Sequence, residues 1–177
     1  MDRDGRVDLI VSGIDIGGGD GGIFVLPGQG DGSFGSPRRW SHVSTHIFDP
    51  PPLRFADLDR DGAVELITGD IRGSLLWVPD GGLAPRVLLE DVDAYEIADL
   101  DRDGRPELLA AAPAPYSPAS TRLHLGRSRS DGSFGFEHHD LNVAGVRQIH
   151  VANVDGDGEL DIVLVDGRGA TILRRAR

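Results

Sequence analysis

The chain has 177 residues, a formal net charge of −11 at pH 7 and no cysteine. The acidic balance argues against nucleic acid and anionic membranes as partners, and the lack of cysteine excludes disulfides. No apolar run approaches the roughly 20 residues of a membrane span, and a chain of this length is one domain by default.

In chain order, short apolar runs bounded by Gly, Asp and Pro predict four units of β-strands. The units span residues 1–48, 53–92, 94–143 and 146–177. The strands of the second unit, named A to D in order, are predicted at residues 53–56, 64–68, 74–78 and 85–89. The first unit lacks strand A, and the last unit lacks strand D.

Four short antiparallel strands in about 40–55 residues are typical of a β-propeller blade. We therefore expect an all-β fold in which residues 1–177 form a single propeller-repeat region. It would be an incomplete arc of about three to four blades, each a four-stranded antiparallel sheet. Because the two ends do not supply complementary strands, we expect an arc of a larger propeller. Its exposed blade edges would permit self-association.

An acidic pattern of nine residues stands between strands A and B of the units. Its positions 1, 3, 5 and 9 carry side-chain oxygens, and its position 6 carries glycine. The complete copies are the first loop (57–65), the second loop (99–107) and the third loop (153–161). A partial loop (2–8) lacks position 1. We expect the glycine at position 6 to adopt a positive φ, which a Cβ would penalise.

The predicted ligands of each loop are its side-chain oxygens and the backbone carbonyl at position 7. In the first loop they are Asp57, Asp59, Asp61, Ala63 and Glu65. In the second loop they are Asp99, Asp101, Asp103, Arg105 and Glu107. In the third loop they are Asn153, Asp155, Asp157, Glu159 and Asp161, and in the partial loop Asp2, Asp4, Arg6 and Asp8.

Oxygen ligands at this spacing favour a hard divalent cation. Ca²⁺ takes roughly 6–8 oxygens, and a sharp glycine turn lets a short loop surround it. A solvated acidic turn without metal is the alternative, but such a turn has no reason to repeat its acids in register. We therefore predict three Ca²⁺ sites and a fourth, truncated site. Low-affinity calcium sites fill where calcium is millimolar, which favours a secreted or cell-surface protein.

The loops and a second turn motif resemble FG-GAP/VCBS repeats, the calcium-binding propeller repeats also found in integrin α-subunits. The loop motif is carried by Asp57, Asp59, Asp61, Gly62 and Glu65, and the turn motif by Gly30, Asp31, Gly32, Ser33 and Phe34. The resemblance implies that calcium is structural and that the cation loops share one face of the propeller. Ligands would bind at the opposite face, whose longer loops offer Asp15, Asp20, His42, His46, Phe48 and Tyr116.

The favoured function is a calcium-stabilised module that binds a protein or a glycan outside the cell. We expect no enzymatic activity, because the sequence shows no nucleophile with its base and no Gly-x-Ser-x-Gly elbow. Acids that ligate calcium also make poor general acids. Two alternatives stay open: the propeller part of a secreted polysaccharide-degrading enzyme, and a structural spacer of a large surface protein.

Aromatic and histidine side chains give further expectations. Trp77 lies between apolar neighbours in a strand and is predicted to be buried. Phe34 and Phe134 follow turn motifs and are predicted to pack between blades. His138 and His139 are adjacent in a predicted strand, so their side chains should point to opposite faces and not form a metal site.

Overall fold

The structure is a computed structural model that describes residues 4–14, 21–43, 52–70, 72–79, 84–115, 117–129 and 133–174. These ranges contain fourteen β-strands and no helix, which confirms the predicted all-β class. Several residues that the sequence analysis singled out lie outside the described part of the chain. They are Asp2, Asp15, Asp20, His46, Phe48 and Tyr116.

The chain divides into two compact units, Met1–Glu90 and Asp91–Arg177, and each unit contains two sheets. Sheet 1 consists of β1 (Leu9–Ile14), β2 (Gly21–Leu26) and β3 (Arg38–Ser41). Sheet 2 consists of β4 (Arg54–Ala56), β5 (Glu65–Gly69), β6 (Leu75–Val78) and β7 (Arg86–Leu89). Sheet 3 consists of β8 (Ala94–Ala98), β9 (Glu107–Ala114), β10 (Ser117–Ser128) and β11 (Phe134–Leu141). Sheet 4 consists of β12 (Gln148–Ala152), β13 (Asp161–Val165) and β14 (Ala170–Leu173).

Each sheet is an antiparallel meander, because its strands are hydrogen-bonded in the order in which they follow along the chain. Short connections impose this order, since a short loop can join only antiparallel neighbours. Within the described residues, the four sheets have three, four, four and three strands, which is the strand count that the sequence predicts. These meanders are the blades of a β-propeller with an incomplete set of strands, and the predicted fold class is confirmed.

In the first unit, the two inner strands of sheet 2 supply most of the core. All five residues of β5 and all four of β6 are buried, including Trp77 as predicted. Sheets 1 and 2 pack together through a shared apolar cluster. Its buried members are Ile23, Val43, Leu66, Leu76 and Val78. Strand β5 begins at the last position of the first loop, so this loop leads directly into the core.

In the second unit, β9 is the most deeply buried strand. Leu108 and Leu109 are fully buried, and the alanines that follow them are small enough to let the neighbouring sheet approach closely. Strand β12 of sheet 4 contacts both β8 and β9 of sheet 3. The buried members of this core are Ala94, Leu109, Ala111, Leu123, Val146, Ile149 and Leu164. Like β5, β9 begins at the last position of an acidic loop.

One aromatic prediction is wrong, and a second stays a prediction. Phe34 is 42% exposed in the β2–β3 connection, where it forms an isolated bridge with Gly28. Phe134 is half-buried and stacks on Phe136 of its own strand, with the ring centroids 5.9 Å apart. This contact does not contradict packing of Phe134 between blades, which stays a prediction. The turn sequence thus predicted the connection correctly but not the direction of its aromatic side chain.

Candidate metal centres

Each complete loop joins the two strands of a β-hairpin. The first loop joins β4 to β5, the second joins β8 to β9, and the third joins β12 to β13. Position 9 is the first residue of the second strand and is paired with the last residue of the first strand, as in Ala56 and Glu65. Consequently the acid at position 9 is buried in all three loops, at Glu65, Glu107 and Asp161.

The buried acid is held by a backbone hydrogen bond across the loop. The N–H of position 2 donates to the carboxylate of position 9 over 2.7 Å in the first loop, 2.8 Å in the second and 3.1 Å in the third. This bond occupies one oxygen of each carboxylate. It closes the loop on itself and directs position 9 towards the loop interior.

Further backbone bonds turn the chain around the acids. The N–H of position 5 donates to position 3, and the N–H of position 7 donates to position 5, in all three complete loops. In the partial loop, Arg6 N–H donates to Asp4 in the same way. The N–H groups of the position-7 residues Ala63, Arg105 and Glu159 thus take part in the turn. The metal-binding role of their carbonyls stays a prediction.

The backbone conformation confirms the expectation for position 6. The φ angles are 85° at Gly62, 80° at Gly104, 94° at Gly158 and 80° at Gly5. The structure also reveals a second left-handed position that the sequence analysis missed, position 4. It is occupied by Arg60 (φ 65°) and Arg102 (φ 61°), which is uncommon for residues with a long side chain.

A signal for this second position was present in the sequence. The third loop carries glycine at position 4, Gly156, with a φ of 80°. Glycine is the residue that adopts such angles without strain, so its occurrence in one copy indicates what all copies require there. Two left-handed residues close together explain how nine residues bring acids from both ends of the loop side by side.

The acids of the first two loops come together, although not to the same extent. In the first loop, one carboxylate oxygen from each of four residues lies within 4.8 Å of the others, and these residues are Asp57, Asp59, Asp61 and Glu65. In the second loop the group has three members, Asp99, Asp101 and Glu107. Asp103 at position 5 is not part of that group.

The third and partial loops are less assembled among the described residues. Asp155, Asp157 and Asp161 do not form a mutual group within 4.8 Å, and position 1 is the amide of Asn153. Asn153 accepts a hydrogen bond from position 4 at Gly156, whereas Asp57 and Asp99 accept theirs from position 6.

In the partial loop, Asp8 accepts a bond from Gly28 N–H at 3.0 Å, and Asp4 pairs with Arg6 at 3.6 Å. No group of three acids forms there within the part of the chain that the structure describes. Its third acid, Asp2, lies outside the described residues, so the truncated site stays a prediction.

One carboxylate oxygen in each of the first two loops is buried without a partner. Asp57 Oδ2 accepts a hydrogen bond from Gly62 at 3.0 Å, but its Oδ1 is buried and accepts none. Asp99 repeats this arrangement, with Gly104 at 2.9 Å and a buried Oδ1 without a hydrogen bond. Such an oxygen is costly to bury unless something compensates its charge. A divalent cation among the acids would do so, so these residues fit a metal.

The electrostatics of the acids also fit a metal ion at these loops. Burial raises the pKa of Glu65 to about 7 against the opposing hydrogen bond from Leu58, and the charges of Asp59, Asp57 and Asp61 raise it further. Burial likewise raises the pKa of Glu107. Four carboxylates this close resist joint ionisation, and a bound cation reverses that tendency by favouring the ionised form.

A cation already faces the buried acid of the second loop. Arg127 Nε lies 3.7 Å from Glu107 Oε1, and Arg127 Nη1 donates to Glu137 Oε1 at 2.8 Å. Arg127 thereby partly offsets the rise in the pKa of Glu107. Arg102 at position 4 of this loop also donates to the carbonyl of Gly158 in the third loop, which links the two loops of the second unit.

A cavity of about 490 Å³ lies beside the second loop, within the second unit. Its walls come from sheets 3 and 4 and include Leu109, Leu123 and Ile162, with Glu107, Arg127 and His139 as polar members. The sequence did not indicate it, because its lining residues are scattered over several strands. His138 lies on the other face of β11, where its ring meets His124 at 4.7 Å, so the two adjacent histidines do diverge.

The predicted ligand-binding face is only partly described. His42 is exposed, and its Nδ1 lies 3.2 Å from Arg39 Nη1. The other residues expected on that face lie outside the described part of the chain. A ligand site at this face therefore stays a prediction.

The described residues contain no helix long and apolar enough to cross a membrane. A family model of FG-GAP-like repeats matches residues 1–68 and 95–164. The two matched ranges include the partial loop and all three complete loops. No match was found among curated proteins.

Proposed function

The chain belongs to the FG-GAP-like repeat family, and on that premise we propose that it is a calcium-binding β-propeller repeat module. The observation that carries the proposal is the buried oxygen Oδ1 of Asp57, repeated at Asp99, which accepts no hydrogen bond and lies in a group of carboxylates. Ca²⁺ suits such a site because it accepts many oxygen ligands in flexible geometry, whereas Mg²⁺ demands a near-ideal octahedron. The third loop, with its similar backbone bonds, would supply a third site.

Calcium is structural in this proposal. When bound, the ion supplies two positive charges that offset the acids of its loop. Each loop joins two paired strands, and its last ligand candidate opens a buried strand, as Glu65 opens β5. Fixing position 9 therefore ties the loop to the core of its sheet. The native state would bind calcium and the unfolded chain would not, so binding would stabilise the fold.

We further propose that the module acts outside the cell as a binding protein for another protein or a glycan, without catalytic activity of its own. Millimolar extracellular calcium would fill sites of modest affinity. Carboxylates that ligate calcium are held ionised, so they are poorly suited to general acid catalysis. The exposed His42 is the described member of the face at which we expect the ligand.

Thermal unfolding tests the calcium proposal. The midpoint of the purified chain in millimolar Ca²⁺ should exceed that in chelator by about 5 °C or more, because a ligand at 100 times its Kd contributes about 2.7 kcal/mol. Asp59→Asn should reduce this difference by removing a ligand charge from the first loop. Asp166→Asn is the matched control, since Asp166 accepts similar turn bonds from Arg168 and Gly169 outside the loops. Equal midpoints in calcium and chelator would contradict the proposal.

A further inference from the structure

The first and second loops present different charges to an incoming cation at position 9. Glu107 has Arg127 at 3.7 Å, and its side chain is almost fully buried. Glu65 has no basic side chain within ion-pair distance among the described residues. The difference follows from the register of the sheets. Arg127 is paired with Glu107 across β9 and β10, whereas β6 ends at Val78, opposite Leu66 and one residue short of Glu65.

We propose that Arg127 is an internal counter-ion that competes with calcium for the second loop, so that the first loop fills at lower calcium. The inference rests on the proposed function, because it concerns the order in which calcium sites fill. Arg127 reaches Glu107 with its Nε while Glu137 holds its Nη1 at 2.8 Å. The two glutamates therefore share the charge of one guanidinium, which lies beside the loop. A cation approaching Glu107 therefore meets a fixed positive charge that the first loop lacks at its position 9.

The number of assembled acids acts in the same direction. Four carboxylates are gathered in the first loop and three in the second. Fewer gathered negative charges attract a divalent cation less, and a nearby positive charge reduces the attraction further. In return, the second loop is partly neutralised without calcium. The two loops would therefore serve different calcium ranges while sharing one sequence pattern.

The test follows calcium filling at each loop separately in the full-length chain. The amides of Gly62 and Gly104 donate to Asp57 and Asp99, so their NMR cross-peaks report the first and second loops. In a Ca²⁺ titration, the Gly62 peak should reach its midpoint before the Gly104 peak. Arg127→Gln should move the Gly104 midpoint to lower calcium by roughly two- to fivefold, because the arginine of the pair is half-exposed, and should leave the Gly62 midpoint unchanged.

A matched control separates competition at the loop from a change in net charge. Arg122 lies on the same strand and pairs with Asp140 at 2.7 Å, away from the loop. Arg122→Gln removes the same charge and should shift neither midpoint by a comparable amount. A Gly104 midpoint that is unchanged by Arg127→Gln, or one that precedes Gly62 in the unaltered chain, would overturn the proposal.

A second variant covers the case in which Arg127→Gln does not fold, as judged by circular dichroism. Glu137→Gln leaves Arg127 with Glu107 as its remaining ion-pair partner among the described residues, so the Gly104 midpoint should move to higher calcium. An unmoved midpoint in Glu137→Gln overturns the inference. If neither glycine responds to millimolar calcium, the proposed function itself fails.

Discussion

The first and second loops share the same four kinds of backbone hydrogen bond, yet their surroundings differ. In both, position 2 binds position 9, position 6 binds position 1, and two further bonds turn the chain between them. Among the described residues, only the second loop has an arginine beside its buried glutamate, and only the first gathers four acids. The nonapeptide thus determines the path of the backbone, whereas strands elsewhere in the sheet determine the charge that a cation meets.

The third loop shows how small a change alters the arrangement. Its position 1 is Asn153, which accepts its bond from position 4 instead of position 6. Arg174 also pairs with Asp155 at 3.7 Å. Both loops of the second unit therefore have an arginine on a ligand candidate, at Glu107 and at Asp155. Each of the following variants tests one part of the comparison.

The largest expected effect comes from truncating the buried leucine that follows each loop, which tests whether the two hairpins contribute equally to stability. Leu66 and Leu108 follow position 9 directly and are fully buried. Leu66→Ala and Leu108→Ala should each lower the free energy of unfolding by about 2–5 kcal/mol, because each leaves a cavity in a packed sheet. Urea unfolding in calcium and in chelator measures this loss. A loss that differs strongly between the two variants would show that the hairpins do not contribute equally.

Substitution of a buried glutamate should change the free energy of unfolding by less, and the sign of the change should depend on whether calcium is present. At pH 8 in chelator, Glu65→Gln should stabilise the fold by about 2 kcal/mol, because the folded state no longer carries an ionised acid whose pKa is raised to about 7. In calcium the same variant should destabilise it, since a ligand charge is lost.

The matched variant at the second loop sharpens this test. In chelator, Glu107→Gln should stabilise the fold less than Glu65→Gln does, because Arg127 loses an ion-pair partner. Urea unfolding at pH 8, in calcium and in chelator, measures the free energy of unfolding of both variants. Stabilisation by Glu65→Gln in calcium as well as in chelator would show that Glu65 does not bind the ion.

The smallest effect concerns position 4, where the loops differ in sequence. Gly156→Ala should cost roughly 1 kcal/mol, because its φ of 80° disfavours a Cβ. A Cβ there would meet no atom within 4 Å, so the cost is conformational and not steric. Gly167→Ala, at a glycine without a positive φ and with equal space, is the control. Thermal unfolding of both variants in chelator should show a lower midpoint for Gly156→Ala alone.

Much of the fold could be predicted from the sequence, because its signals are local. Apolar runs bounded by turn residues indicated the strands, and short connections between them require antiparallel neighbours. The acidic pattern likewise indicated where a loop stands in each hairpin and which glycine takes a positive φ. Gly156 indicated the second left-handed position as well, but only a comparison between the copies would have shown it.

What the sequence by itself determined is therefore the repeating hairpin and the path of its loop, since both depend on residues only a few positions apart. Tertiary structure decided which acids gather and which cation faces them. Arg127 meets Glu107 because β10 pairs with β9 in one particular register, and the outward side chain of Phe34 depends on what surrounds its turn. Electrostatic interactions depend on distance in space, so residues far apart in the chain distinguish two loops of nearly the same sequence.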